Sequence, residues 1–309
     1  MGRDDLGTRA ADVVVLDGGL ATQLERRGND LSDDLWSARL LLDDPDEVVA
    51  AHLDFFRAGA QVATSASYQA SVAGFAARGI ETEQAQTLIL RSVELAGRAR
   101  ERMLAERDGP GPDLRVAASV GPYGAVLADG SEYTGDYGIS SRALRDFHGS
   151  RLELLAGSGA DLLAVETLPS LQELEVLVGL IDELAPGVPV WVSVTCADAG
   201  RTRHGEPVAD AFAAAAASRH VTALGVNCTA PDHALELVEE AASTGKPVVV
   251  YPNSGEGWDA ARRRWTPSGG PDVDGASARR WVAAGARYVG GCCRVTPEQI
   301  SDVAAAVNS

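Results

Sequence analysis

The chain is poor in positive charge. It carries 27 lysines and arginines against 44 aspartates and glutamates, a formal charge of −17. A surface of that sign repels phosphate backbones and argues against a nucleic-acid partner, while it suits plain solubility. Long apolar runs are missing too. None approaches the roughly 20 residues that a membrane-spanning helix needs, so no membrane partner is expected. The first residues, Met1-Gly2-Arg3-Asp4-Asp5, contain acids and no apolar stretch, so no secretory leader is expected and the cytoplasm is the expected address. Cysteine is scarce, and four in 309 residues do not make a disulfide framework. The Cys-x2-Cys pairs of structural zinc modules are absent. No Gly-x-Gly-x-x-Gly follows the first β-prone run, which weakens a dinucleotide-binding doubly wound sheet. No low-complexity linker divides the chain, and residues 1–309 read as one domain.

Hydrophobic residues make up 45% of the sequence, ample for a core. They fall into short β-branched runs separated by helical patterns. The strands expected are Val13–Leu16, Gln61–Thr64, Val116–Val120, Leu162–Val165, Val190–Val194, Ala223–Val226, Val248–Tyr251 and Tyr288–Val289. Helices are expected between them, among them Pro45–Ala58, Thr82–Arg107, Arg142–Ala156, Leu171–Leu184 and Pro297–Val307, with Asp30–Trp36 a loop. Ala58-Gly59-Ala60, Ser158-Gly159-Ala160 and Ala284-Gly285-Ala286 each precede a strand. Glycine tolerates the left-handed conformation that ends a helix, so the same short helix-to-strand turn is used three times. Strands alternating with helices give a parallel sheet, and about eight of them in a chain of this length give a single closed (β/α)8 barrel of the α/β class.

A barrel gathers the C-terminal ends of its strands on one face, where chemistry is usually placed. Asp17, Thr64, Glu166, Cys228, Cys292 and Cys293 stand at those ends. A lone cysteine near a strand end is ordinarily a small buried hydrophobe, and that reading is kept for Cys196. The adjacent pair Cys292-Cys293, preceded by Gly290-Gly291 and followed by a helix start at Thr296-Pro297, is different. Two thiolates presented together suit a soft metal, and Cys228 in Gly225-Val226-Asn227-Cys228 offers a third. Three thiolates suit zinc and leave one coordination position open, the pattern of a catalytic site. Asp17 and Glu166 read either as acids capping the following helices or as a receptor for an ammonium group. Thr64 reads either as a ligand or as a residue satisfying backbone groups. Trp36 and Tyr68 read as core at first sight.

Asp17-Gly18-Gly19-Leu20-Ala21-Thr22, Gly225-Val226-Asn227-Cys228 and Gly290-Gly291-Cys292-Cys293-Arg294 resemble the zinc-dependent homocysteine S-methyltransferases, over about residues 13–307. Ser67-Tyr68-Gln69-Ala70-Ser71, Val120-Gly121-Pro122-Tyr123-Gly124 and Tyr251-Pro252-Asn253-Ser254-Gly255-Glu256 are most similar to the branch that uses S-methylmethionine or S-adenosylmethionine. The resemblance implies zinc held by Cys228, Cys292 and Cys293, with the homocysteine sulfur as fourth ligand. It implies that Asp17 and Glu166 receive the homocysteine amino group, and that Thr64 and the backbone near Gly18 and Gly225 help to hold the substrate. Trp36 or Tyr68 is expected to face the sulfonium donor. In the betaine-using branch a tyrosine follows the matching glutamate; here the position is Thr167. The alternatives are a betaine- or selenocysteine-type methyltransferase of the same family, or a non-catalytic zinc-thiolate protein. A homocysteine-binding module of a cobalamin enzyme and a vicinal-thiol redox protein fit less well.

Overall fold

The computed structural model describes residues 12–31, 36–127, 129–259, 264–266 and 272–308. Ten strands occur among them: β1 (Val14–Val15), β2 (Val62–Thr64), β3 (Arg115–Val120), β4 (Leu162–Leu168), β5 (Val190–Val194), β6 (Val221–Asn227), β7 (Val248–Tyr251), β8 (Gly257–Asp259), β9 (Arg264–Thr266) and β10 (Ala286–Val289). Eight form one parallel sheet in the order β1-β10-β7-β6-β5-β4-β3-β2. The seam closes through a bridge between Leu16 and Val62 and through bonds from Gln61 N to Val15 O (2.7 Å) and Asp17 N to Val62 O (3.2 Å). The result is the expected (β/α)8 barrel. No helix among the described residues is long and apolar enough to cross a membrane.

The three repeated turns are built as glycine predicts. Gly59, Gly159 and Gly285 have φ of 103°, 81° and 114°, each just after a helix and just before a strand. A β-carbon there would be strained, so these positions fix where each helix stops. At the other end of the chain, Thr296 and Gln299 form a reciprocal capping box and Pro297 opens the last helix, Pro297–Val307.

Side chains alternate along each strand. Leu163, Val165, Leu224, Val226, Val248 and Val250 point outward into the large apolar layer shared with the helices. Val14, Leu16, Val62, Ala117, Leu162, Ala164, Trp191, Ala223, Val249 and Tyr288 point inward and fill the lower part of the barrel. The barrel is therefore a packed core with a site on top, not a pore.

The structure departs from the sequence reading in several places. Trp36 opens a helix, Trp36–Asp43, where a loop was expected. Short helices Val72–Ala76 and Tyr123–Leu127, a 3-10 turn Ser131–Tyr133 and the antiparallel hairpin β8–β9 lie in stretches where no helix or strand was expected. Elements of three to five residues are too short to show a hydrophobic period. The first helix spans Leu20–Arg26, and Thr22 Oγ1 in its first turn accepts from Arg294 N (3.0 Å). β4 runs to Leu168 rather than Val165; the register shifts between Val165 and Leu168, where Thr167 has φ 62°.

Candidate active site

Above the apolar filling, the inward positions turn polar. Ser119, Glu166, Ser193, Asn227 and Tyr251 are all buried. A continuous hydrogen-bond network joins them. Ser119 Oγ donates a short hydrogen bond to Glu166 Oε1, and Tyr251 OH donates to Glu166 Oε2 (2.9 Å). Tyr251 OH also meets Ser193 Oγ (2.8 Å) and accepts from Trp191 Nε1 (3.1 Å). Asn227 Oδ1 accepts from Ser193 Oγ (2.8 Å) and from Thr167 N (2.8 Å), and Asn227 Nδ2 donates to Thr167 Oγ1 (2.7 Å). Such a network holds because almost every member is satisfied.

Asp17 lies just past β1 and is buried. Its carboxylate accepts from Thr64 N (2.7 Å) and Thr64 Oγ1 (3.0 Å). Thr64 thus orients Asp17. Burial pushes the Asp17 carboxyl up to about 8 against the pull of the Thr64 bonds, and the nearby Glu166 charge adds to the rise. Burial also raises Glu166, opposed by its bonds from Ser119 and Tyr251 and by the more distant Arg151 guanidinium. These are two covered acids close enough to repel, and among the described residues neither is in a salt bridge, an arrangement that suits a small cation. They are not helix caps, which sets aside the blander reading of both.

The cysteines arrive from two directions. Cys228 directly follows β6, with φ 48°, and its carbonyl is pinned by Thr195 Oγ1 (3.1 Å). Cys292 and Cys293 follow β10 across Gly290 and Gly291. A β-carbon at Gly290 would lie 2.6 Å from Leu16 Cβ, and one at Gly291 would enter the Val295 side chain, so only glycine lets this backbone pass. Cys292 N then bonds Pro252 O (2.8 Å), and Cys293 O receives Ser254 N (3.1 Å). All three sulfurs lie within 4.8 Å of one another. Cys228 and Cys292 are in disulfide contact, and Cys293 Sγ is 4.0 Å from Cys228 Sγ. A tetrahedral metal with thiolate bonds of about 2.3 Å needs sulfurs about 3.8 Å apart. The Cys228–Cys293 spacing is close to that value. The donor set fits a soft metal. Burial pushes the Cys293 thiol up to about 11, and the Glu132 charge adds to the rise. Cys196 is a free, buried thiol, pushed up to about 12 by burial, in line with its reading as a small core residue.

Among the described residues, three other than glycine have positive φ: Thr167 (62°), Cys228 (48°) and Arg294 (67°). All sit at this rim. For a β-branched threonine the conformation is strained, and strain of this kind collects at functional sites. A buried guanidinium braces the wall beside them. Arg151 donates to Gly121 O (3.0 Å), Ser67 O (2.6 Å) and Tyr68 O (2.6 Å), fixing the loops after β2 and β3.

Asp17, Thr64, Glu166, Cys228, Cys292 and Cys293 therefore share one face, as the sequence led us to expect. Tyr68 joins them: its hydroxyl reaches Thr167, and the charge of Glu166 acts on it. Gly18 and Gly225 have a packing reason to be glycine. A β-carbon would meet Val295 O (2.6 Å) at Gly18 and the Val249 carbonyl at Gly225. The side chain of Trp36 lies outside the described residues. Sequence reading missed Ser119, Ser193, Asn227, Tyr251 and Arg151, which are ordinary strand and helix residues until the barrel brings them together. It also missed Tyr133, whose hydroxyl bonds the Cys293 sulfur.

A family model described as homocysteine S-methyltransferase matches residues 14–307. The homocysteine S-methyltransferase of Escherichia coli (strain K12) is 48% identical over 292 residues, 94% of each chain. Homocysteine S-methyltransferase YbgG of Bacillus subtilis (strain 168) is 45% identical, covering 95% of this chain and 94% of the relative. The crystal structure of the metallated form of the homocysteine methyltransferase MmuM from Escherichia coli superposes with a TM-score of 0.86 at 45% identity, over 97% of both chains.

Proposed function

The chain belongs to the homocysteine S-methyltransferase family, a family of methyltransferases, and from that premise we propose that it moves a methyl group from a sulfonium donor to the sulfur of homocysteine, forming methionine. The donor is S-methylmethionine or S-adenosylmethionine. The observation that carries the reading is the meeting of three thiols with two buried, cation-free acids on one barrel rim. Zinc, held by Cys228, Cys292 and Cys293, would supply a fourth position at which the homocysteine thiol stays deprotonated at neutral pH. We assign the site to residues 1–309 read as one homocysteine-binding barrel, working in the cytoplasm where these cysteines stay reduced.

Asp17 and Glu166 take the amino group of homocysteine. Burial raises both carboxyls, and an ammonium between them would favour the charged carboxylates. Thr64 aims Asp17, while Ser119 and Tyr251 aim Glu166. The backbone near Gly18 and Gly225 closes the pocket around the substrate. With its amino end fixed, the substrate sulfur is directed toward the cysteines.

The chemical step is a direct displacement. The homocysteine sulfur, its proton already lost to solvent, donates an electron pair to the methyl carbon. The bond from that carbon to the donor sulfur breaks, and its electrons neutralise the sulfonium. The leaving group is a neutral thioether, so no oxyanion has to be stabilised. What remains for the protein is alignment of two sulfurs about one methyl, an orientation effect. The faces of Trp36 and Tyr68 attract the donor's positive charge, a contact of about 0.5–2 kcal/mol.

The test is methionine formation by zinc-loaded protein with a panel of sulfonium donors, repeated on Cys293→Ser. We expect methionine from at least one donor. We expect the variant to lose most of its zinc and at least about a thousandfold in rate, as when a group essential to a catalytic metal site is removed. A serine variant with full rate and full zinc would overturn the assignment. Zinc binding without methionine formation would leave the non-catalytic zinc-thiolate reading.

A further inference from the structure

The connection from β3 to the helix Ser141–Ala156 carries charges that neither the cysteines nor the amine receptor uses. It is clamped at both ends by one buried side chain. Glu173 accepts from Tyr123 N (2.6 Å) at the start of the connection and from Tyr137 OH (3.0 Å) near its end, and it also meets His148 Nε2 (2.8 Å). Between the clamps lies the 3-10 turn Ser131–Tyr133, whose Tyr133 hydroxyl bonds the Cys293 sulfur. Gly124 is packed against it so closely that a β-carbon there would lie 2.8 Å from Glu132 Cα.

Two features of this turn ask for a ligand. The Glu132 carboxylate lies close enough for its charge to act on Cys293, Tyr68, Tyr133 and Tyr137. The backbone N–H groups of Gly130 and Glu132 lend it partial support. Its Oε2 atom is covered and has no hydrogen-bond partner. Beside the Tyr133 ring stands Arg203, its guanidinium carbon 5.8 Å from the ring centroid. Arg203 Nε is also buried without a partner, and among the described residues the side chain makes no ion pair. Leaving a covered charge unpaired is costly. Here an anion and a cation, both short of partners, flank a tyrosine that bonds a metal-site sulfur.

We propose that Glu132, with the rings of Tyr133 and Tyr68, forms the subsite for the sulfonium end of the methyl donor, and that Arg203 takes the donor's carboxylate. The proposal rests on the methyltransferase reading above and deepens it. A sulfonium has no N–H or O–H to offer, so it is recognised by charge and by aromatic faces. Glu132 supplies the charge and the tyrosines supply the faces. Their position beside Cys293 sets the transferable methyl next to the thiol that receives it. S-methylmethionine and S-adenosylmethionine both end in an amino-acid carboxylate, which suits a guanidinium.

The experiment compares wild type with Glu132→Gln and Arg203→Gln, all zinc-loaded, and uses trimethylsulfonium as a probe. Glutamine keeps the size and one acceptor oxygen of Glu132 and removes the charge. For Glu132→Gln we expect the donor KM to rise about tenfold or more and inhibition by trimethylsulfonium to weaken by a similar factor, as a desolvated charge contact is lost. Homocysteine KM and zinc content should stay within about twofold of wild type. For Arg203→Gln the donor KM should rise while trimethylsulfonium inhibition stays put, because the probe has no carboxylate. Unchanged donor KM and probe inhibition in Glu132→Gln, or donor and homocysteine KM rising together, would overturn the subsite. A rise in homocysteine KM alone in Arg203→Gln would move that residue to the acceptor. Failure of the wild type to make methionine from any sulfonium sinks the reaction instead; trimethylsulfonium binding measured by calorimetry on wild type and Glu132→Gln then still decides the subsite.

Discussion

The inside of the barrel holds two layers with opposite chemistry. The lower layer, with Leu162, Ala164, Trp191, Ala223 and Val249, is apolar and sealed. The upper layer, with Ser119, Glu166, Ser193, Asn227 and Tyr251, is polar and hydrogen-bonded. The same strands build both. Ala164 and Glu166 are two residues apart on β4, and Ala223 and Asn227 share β6. Two residues of advance along a strand return the side chain to the same face about one layer higher. The fold thus keeps stability and chemistry on separate floors of one structure.

Replacing a residue in the lower layer gives the largest expected effect. Leu162→Ala should cost about 2–5 kcal/mol in denaturant unfolding through lost burial and a residual cavity. Homocysteine KM, measured below the transition, should stay within about twofold of wild type. A large change in KM with little loss of stability would erase the division between the floors.

A matching change above should act the other way. Glu166→Gln keeps the shape that Ser119 and Tyr251 grip and removes one charge of the proposed amine receptor. We expect homocysteine kcat/KM to fall about a hundredfold, the size typical of losing a buried charge-assisted contact, with a stability change under about 1 kcal/mol. Kinetics and chemical denaturation on the same preparation check both halves.

The smallest effect tests sign rather than size. Burial raises the Asp17 carboxyl to about 8 in the folded protein from an ordinary value of 3.8. Between those values the native state binds the proton more tightly than the unfolded chain does. Stability contributed by the protonated form is full below the unfolded value and is lost as pH rises through about 8. Asp17→Asn cannot ionise. At pH 9 the substrate-free variant should be more stable than wild type by about 1 kcal/mol or more, a few degrees in Tm, and the gap should shrink as pH falls. Its homocysteine KM should be raised throughout. Equal pH dependence of Tm in the two proteins would show that the Asp17 charge is met by some group of the chain itself.

The sequence carried much of this and hid a definable part. The strands were legible from β-branched runs, and the turns at Gly59, Gly159 and Gly285 from a single local pattern, because both are set by near neighbours. Asp17, Glu166 and the three cysteines were legible because ionisable groups and paired thiols are unusual at strand ends. Ser119, Ser193 and Asn227 were not, since a small polar residue on a strand looks the same whether it faces solvent, a helix or an acid across the barrel. Thr64 was placed correctly, yet its partner Asp17 is a long-range contact that no local pattern encodes. The turn with Glu132 and Tyr133 was hidden inside a stretch rich in glycine and tyrosine, where only the clamp from Glu173 gives it a shape.

The insertion of β10 between β1 and β7 has a consequence for how the enzyme is made. Two of the three clustered sulfurs directly follow that strand, so the three-thiol group is complete only once the ring has closed. Short of that strand, the thiol at residue 228 lacks both of its sulfur neighbours. A metal that needs all three sulfurs can therefore be gripped only by the finished ring.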